Sequence, residues 1–236
     1  MDYKKYKDVV VSQDIDDTYA IVSCKGYNFK IRKNKIDAFT VNEVFKCGYL
    51  KHLKLNETDV VIDIGMNIGV FSVIASKSCS KIIGFEPDLE NFNLAKQNLE
   101  MNNITNVEIY NCAVCENKGT ATLYLNSGVC SDCHSTQPVR GRKTISVDAE
   151  SINNIIHKYN PTKLKIDCEG EELNFMRVAD LSNIKAISME VHFSLSKRDN
   201  HQRYYEMLKN IETNLKYVKY PKVQEKFSKI LVANNF

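Results

Sequence analysis

From residue 60 onward the chain alternates two hydrophobic rhythms. Short, nearly continuous apolar runs recur at Val60-Val-Ile-Asp-Ile64, Lys81-Ile-Ile-Gly-Phe85, Val107-Glu-Ile-Tyr110, Leu164-Lys-Ile-Asp167 and Ala186-Ile-Ser-Met-Glu-Val-His192. Runs of this kind predict strands covered on both faces of a parallel sheet. Between them lie segments with apolar residues at helical spacing. Phe71, Ile74 and Ala75 mark a helix over 68–77; Leu89, Phe92, Ala95 and Leu99 mark a second, with Asp88 as its N-cap and Asn102-Asn103 as its end. Helices are also predicted over 151–159, 171–179 and 204–215. The third strand is expected to run on through Cys112-Ala-Val114. Segments 121–125 and 143–147 read as strands around an irregular loop, and 217–220 and 229–233 as two closing strands. Repeated βα units predict an α/β fold: a mainly parallel sheet with helices on both faces. Ligands of such sheets bind beyond the carboxyl ends of the strands.

The first 58 residues carry weaker patterns. Thr18–Ser23 and Tyr27–Arg32 read as a hairpin around Lys25-Gly26, and Asp37–Leu53 as one helix or two. Asn56-Glu-Thr-Asp59 is a polar break. The division expected is therefore an N-terminal extension, 1–58, packed on a core domain, 59–236.

At the mouth of the first buried strand the sequence reads Asp63-Ile-Gly-Met-Asn-Ile-Gly69. Strand, glycine turn and helix make a nucleotide-site arrangement, in which Gly65 permits the tight turn and Gly69 lets the helix start pack closely. Glu86 ends the next strand, where a carboxylate can accept both hydroxyls of a ribose. Two cofactor classes share this outline. A dinucleotide sets its pyrophosphate on the helix N-terminus and uses a third glycine, where this chain has Asn67. A carboxylate at Asp63 would repel a pyrophosphate and suit the cationic amino-acid end of S-adenosylmethionine. The charge argument favours the methyl donor; a dinucleotide-binding oxidoreductase is the alternative.

These residues resemble the FkbM family of methyltransferases. The resemblance rests on Val61–Ser72, Gly84-Phe-Glu-Pro-Asp88, Asn91-Phe92, Lys96, Asn98-Leu99 and Asn102-Asn103. It continues through Asn111-Cys-Ala-Val114, Gly119–Tyr124, Lys165-Ile-Asp-Cys-Glu-Gly170 with Glu172, and Glu190-Val-His192. It covers about residues 40–236. The family implies a Rossmann-like class I methyltransferase fold, with a seven-stranded, mostly parallel sheet whose last strand runs antiparallel. It also implies methyl transfer from S-adenosylmethionine, commonly to a hydroxyl of a sugar or polyketide-like product. Asn111 and Ala113 would meet the adenine in this class. Met66 stands where the family usually has alanine, and Cys112 and Cys168 replace common apolar or small residues. Residues 1–35 and the loop 126–142 match poorly, which places acceptor choice there.

An alcohol acceptor must lose a proton as it takes the methyl group. Asp167, Glu190 and His192 sit at the mouths of strands expected to be neighbours. His192 is the natural base at neutral pH, with Asp167 as base or orienter. Asp167 and Glu190 could alternatively hold Mg²⁺, which would acidify the hydroxyl. Glu171 and Glu172 read as acids favoured by the first turn of a helix. Glu43 and Tyr49 precede the first βα unit and could cover the site. The segment Asp167-Cys-Glu-Gly170 argues for oxygen rather than exocyclic nitrogen as acceptor.

Charge and cysteine content narrow the picture further. The formal net charge is +3, which does not demand nucleic acid; a small-molecule or glycan acceptor is expected, and RNA methylation is the alternative reading. No stretch has the apolar length of a membrane helix and no apolar signal core follows the charged start, so a cytoplasmic protein is expected. Cys112-x-x-Cys115 and Cys130-x-x-Cys133 come close to a structural zinc pattern, and Cys133-His134 completes a haem-attachment form. Free thiols are the favoured reading, because Cys112 should point inward from a strand while zinc pairs sit in turns.

Overall fold

A computed structural model describes residues 6, 8–126, 134–192, 198–219 and 229–236. Strands β1 (Val9–Asp14), β2 (Tyr19–Cys24) and β3 (Tyr27–Arg32) form an antiparallel sheet of their own. The hairpin expected around Lys25-Gly26 is β2–β3. β1 has no readable pattern, because only Val9 of its six residues is buried. The next helix is broken at Gly48, whose φ of 76° lies in the left-handed region. This leaves α1 (Asp37–Cys47) and α2 (Tyr49–Leu53).

The alternation from residue 60 gives, in order, β4 (Val60–Ile64), α3 (Val70–Ala75), β5 (Lys81–Phe85), α4 (Leu89–Met101) and β6 (Val107–Tyr110). Asp88 caps α4 as expected, accepting from the Asn91 N–H at 2.9 Å. β7 (Ala113–Cys115), β8 (Gly119–Leu125) and β9 (Lys143–Ser151) follow, then α5 (Ile152–Tyr159), β10 (Lys163–Ile166) and α6 (Glu172–Phe175). β11 (Ala186–Val191), α7 (Arg198–Asn214), β12 (Tyr217–Lys219) and β13 (Lys229–Asn234) complete the chain.

Seven of these strands make one sheet in the order β12-β13-β11-β10-β4-β5-β6. β13 runs antiparallel to both of its neighbours, and β11, β10, β4, β5 and β6 are parallel. The central strands are buried on both faces. Ile62 and Ile64 join the core beneath α5, α6 and α7, whereas Val61 joins Tyr49, Leu53 and Phe71 on the other side. On that second face the same period of two places Asp63 on β4 and Lys165 on β10 directly opposite each other.

Two expectations need correcting. β6 does not continue into Cys112–Val114. The Asn111 side chain donates to the carbonyls of Glu86 and Pro87, at 2.9 and 3.0 Å, and the chain leaves the main sheet there. β7 instead joins a smaller sheet in the order β7-β9-β8. α6 is also far shorter than 171–179. The carbonyls of Met176 and Ala179 accept from the Asn210 amide on α7, each at 2.9 Å, which fixes the non-helical chain after α6.

The N-terminal sheet is joined to the core by two asparagines one helical turn apart on α4. Asn98 accepts from the Lys30 N–H at 2.7 Å and donates to the carbonyl of Ile68 at 2.9 Å. Asn102 accepts from the Asn28 N–H at 3.0 Å and donates to its carbonyl at 2.7 Å. The two amides thus pair with the open edge of β3 as a neighbouring strand would. Asn98 is fully buried, while Asn102 is partly exposed and its edge can turn to water. Asn98→Ala is expected to cost about 2 kcal/mol, the penalty for buried backbone groups left unpaired. Asn102→Ala should cost less than about 1 kcal/mol, because water replaces its bonds. Urea unfolding of the two variants measures the difference; equal losses would contradict this account.

Candidate active site

The carboxyl ends of β4, β5, β10 and β11 open onto a cleft of about 1070 Å³, counting space continuous with solvent. Its floor is the turn after β4. A Cβ on Gly65 would lie 1.8 Å from the Asp167 carbonyl oxygen, so this glycine is required by the approach of the β10 end. The cause is chain packing rather than clearance for a ligand. Gly69 meets Ala95 of α4, and Gly84 meets the Met66 sulfur. Met66 therefore fills the space above Gly84 and is 2% exposed. Asn67 adopts the left-handed conformation, φ 50°, which its short polar side chain tolerates. Its N–H donates to Glu86 Oε2 at 2.9 Å, while the Asp88 N–H donates to Oε1, also at 2.9 Å. Burial pushes the Glu86 carboxyl up to about 7, partly offset by the Asp88 and Asn67 N–H groups. Glu86 also accepts a hydrogen bond from the Asn91 side chain, and the buried Asn67 Oδ1 has no hydrogen-bond partner. Gly65, Asn67, Glu86 and Ala113 line the cleft; Gly69 and the Asn111 side chain serve its frame.

Asp63 is not where the charge argument placed it. The side chain is fully buried, accepts from Ser72 Oγ at 2.7 Å and stands 3.1 Å from Lys165 Nζ. Period two puts both residues on the α3 side of the sheet, and the ammonium takes up the carboxylate's charge. Asp63 thus cannot discriminate between a cationic amino acid and a pyrophosphate. Lys165 also donates to the Gly65 carbonyl at 2.8 Å and lies 4.0 Å from Asp167 Oδ2. Burial opposes its charge, but Asp63 and Asp167 outweigh burial and hold the ammonium above its ordinary range. The sequence reading passed over Lys165 as a strand residue. The signal was present, since a lysine in the centre of a buried parallel strand needs paired carboxylates.

Asp167, Glu190 and His192 do converge. A ligand atom from each lies within 4.8 Å of the others. Tyr49 of α2, 2% exposed, places its hydroxyl 3.4 Å from Asp167 Oδ2 and 3.3 Å from Glu190 Oε2. Burial raises the Asp167 carboxyl to about 6, with Lys165 pulling it down and Glu190 pushing it up. The role of His192 changes. Its Nε2 stands 3.5 Å from Glu190 and 3.6 Å from Glu169, and its Nδ1 stands 3.5 Å from Glu172. Burial disfavours the imidazolium, but Glu172 and Glu190 overcome that and push the group up to about 12. A ring that holds its proton this firmly is no general base at neutral pH, which corrects the expectation from sequence.

Glu171 and Glu172 do more than favour a helix N-terminus. Glu171 accepts from Thr136, Gln137 and Asn174, fastening the segment that begins at residue 134 to the rim of the cleft. Glu172, fully buried, accepts from the N–H groups of Gly170 at 2.8 Å and His192 at 2.6 Å. The cleft wall also includes Glu43, Tyr49 and His134. The His134 Nδ1 accepts from the Asn126 N–H at 2.9 Å. Cys112 and Cys115 are free thiols, and burial raises both. Cys130 and Cys133 fall outside the described residues.

The methyltransferase FkbM domain family matches residues 63–221. A curated 23S rRNA (uracil(1939)-C(5))-methyltransferase, RlmD, of Vesicomyosocius okutanii is 33% identical over 78 residues. That match covers 33% of this chain and only 18% of the relative's length. Among solved structures, M. jannaschii TYW2 in complex with AdoMet superposes with a TM-score of 0.52 at 14% identity, covering 94% of this chain and 87% of that one. The putative transferase PH0793 of Pyrococcus horikoshii gives 0.51 at 12% identity, covering 93% and 71%. At such identities the two superpositions show a shared fold, with the class I methyltransferase sheet order.

Replacing Lys165 by methionine keeps the bulk and removes the ammonium. Asp63, fully buried, and Asp167, partly exposed, then lose their counter-ion, at a cost of about 3–5 kcal/mol at pH 7 that falls mainly on Asp63. The loss should shrink toward pH 4, where the stranded carboxyls regain protons in the folded state. Urea unfolding at the two pH values measures this, and a deficit independent of pH would exclude the ionic role.

Proposed function

The chain belongs to the FkbM methyltransferase family, and on that premise we propose that it methylates a hydroxyl oxygen of a small neutral acceptor, such as a sugar, using S-adenosylmethionine. Membership of this family removes the dinucleotide-binding oxidoreductase as a competing reading. The donor's site fits residues on the cleft floor. Glu86, on the cleft floor, would take the ribose hydroxyls; the Gly65–Asn67 turn would take the amino-acid end, and the chain at Cys112-Ala113 the adenine. The donor supplies a methyl group on a sulfonium, whose departure as a neutral thioether drives the displacement.

The observation that carries the acceptor assignment is the Asp167–Tyr49–Glu190 constellation. It stands at the ends of β10 and β11, on the same cleft as the cofactor turn. Asp167 is the base: its carboxyl, raised to about 6, is ionised at pH 7 and basic enough to take a hydroxyl proton as the oxygen–methyl bond forms. Tyr49, raised by burial, stays protonated and shares its one proton between the two carboxylates, fixing their orientation. His192, held as an imidazolium, supplies countercharge. Alignment of oxygen, methyl carbon and sulfur supplies most of the acceleration.

RNA as acceptor is the second reading, because the curated relative named above acts on rRNA. The cleft weighs against it. Glu43, Glu86, Asp167, Glu169, Glu171 and Glu190 face it with Lys165, and a phosphodiester chain entering there would meet net repulsion.

Titration calorimetry should show S-adenosylhomocysteine binding and no NAD binding. Affinity should fall about tenfold per pH unit below 7, because the ribose hydroxyls bind the ionised Glu86 carboxylate and acid protonates it. Glu86→Gln should weaken binding at least tenfold and abolish that pH dependence. NAD binding in place of the thioether would defeat the proposal. With an acceptor identified by donor consumption on pooled glycans and alcohols, kcat/KM should decline below about pH 6 as Asp167 protonates. Asp167→Asn should lower kcat by about 10²–10⁴ while leaving S-adenosylhomocysteine affinity within a factor of three.

A further inference from the structure

We propose that Asp167, Glu190 and His192 form a divalent-cation site whose open positions face the acceptor end of the cleft. The inference rests on the methyltransferase reading for its purpose, but its geometry stands independently. Donor atoms from the three side chains already lie within 4.8 Å of one another, so contractions of about an ångström bring all three to coordination distance. Among the described residues this is the one such set of His, Cys, Asp and Glu side chains.

A second observation concerns the far side of the ring. Metal-binding histidines characteristically turn their other nitrogen to a carboxylate, which fixes the tautomer and the ring plane. His192 does so: Nδ1 stands 3.5 Å from Glu172 Oε1, and Nε2 faces Glu190 at 3.5 Å. Glu172 is fully buried and is itself fixed by the N–H groups of Gly170 and His192. The ring therefore has one nitrogen facing the buried Glu172 carboxylate, without a hydrogen bond to it, and the other directed at Glu190 and Glu169. Its support is stiff, because β10 and β11 are paired in register through Ile166 and Met189, immediately before Asp167 and Glu190. With the cation bound, His192 is a neutral ligand and the ion supplies the countercharge in its place, while the Asp167 oxygen that does not coordinate remains to take the acceptor proton.

Two carboxylates and one imidazole suit Mn²⁺ or Mg²⁺ with water or substrate oxygens completing the shell. Three protein donors leave positions for an acceptor carrying two adjacent hydroxyls. This assigns the substrate class more narrowly, to a vicinal diol of a sugar or polyol chelated by the ion. When bound, the ion would orient the accepting oxygen and withdraw charge from it.

Mn²⁺ alone is the probe. Electron paramagnetic resonance of Mn²⁺ added to the purified chain should show the free six-line signal quenched by one ion per chain. Glu190→Gln and His192→Gln, each checked for folding by thermal melting, should raise the Mn²⁺ dissociation constant more than tenfold. Glu172→Gln should raise it about tenfold by releasing the ring. The idea is overturned if the wild-type chain leaves millimolar Mn²⁺ free, or if both ligand variants bind it as the wild type does. Calorimetry with S-adenosylhomocysteine on the same preparations separates the two readings. Donor binding without Mn²⁺ binding rejects the cation site alone, while Mn²⁺ binding without donor binding rejects the methyltransferase reading alone.

Discussion

One buried ammonium governs the geometry of the cleft. Lys165 is 4% exposed at its side chain and reaches Asp63, Asp167 and the Gly65 carbonyl from a single strand position. An uncompensated cation there would be expelled or discharged. The carboxylates keep it charged, and it in turn fixes the turn after β4 to the end of β10. That link sets the distance between the floor proposed for the cofactor and the wall proposed for the acceptor. The reaction requires those two parts to be placed to a fraction of an ångström, so the electrostatic and catalytic demands meet in one side chain.

The surplus of carboxylate around this ammonium explains the rest of the site. Asp167, Glu169, Glu171, Glu172 and Glu190 gather there, and the two buried ones, Glu171 and Glu172, have found donors. Glu171 takes side-chain hydroxyl and amide groups from the 134–137 segment, and Glu172 takes backbone N–H groups. Among the described residues, His192 and Lys165 bring positive charge to the cluster. The imidazole is consequently a cation held among anions, and the proposed base role goes to Asp167, raised by burial to about 6.

Much of the frame could be read from residue order. The parallel strands, the α4 cap at Asp88 and the place of Glu86 follow from local rules of burial and capping. The convergence of Asp167, Glu190 and His192 follows from their places at strand ends, because residues two apart on a strand share a face. The roles of Asp63 and His192 were not legible. Charge sign alone made Asp63 a ligand for a cation, but its partner lay a hundred residues away on an adjacent strand. His192 looked like a base by its ordinary titration range, which says nothing of the three carboxylates that tertiary packing sets around it. β1 escaped notice because its single buried residue leaves no periodic trace. The split between β6 and β7 escaped because a side-chain amide, Asn111, turns the chain without a glycine or proline to announce it.

The same reasoning bears on where the functional unit begins. A polar break at Asn56–Asp59 suggested an extension followed by a catalytic domain, and the family match likewise starts at residue 63. The side chains cross that boundary. Tyr49 from α2 bridges Asp167 and Glu190, and Glu43 from α1 lines the same cleft. Gly48, in its left-handed conformation, separates the two helices and lets α2 turn across the ends of β10 and β11. Tyr49 is buried among Phe71, Val61 and Ala186, so its hydroxyl is positioned by core packing rather than by a mobile loop. A hydroxyl this fixed gives Asp167 and Glu190 a common donor from outside their own sheet. We infer that the segment before residue 58 is part of the catalytic unit: without α2 the two carboxylates on neighbouring strands would lose the hydroxyl that both of them face.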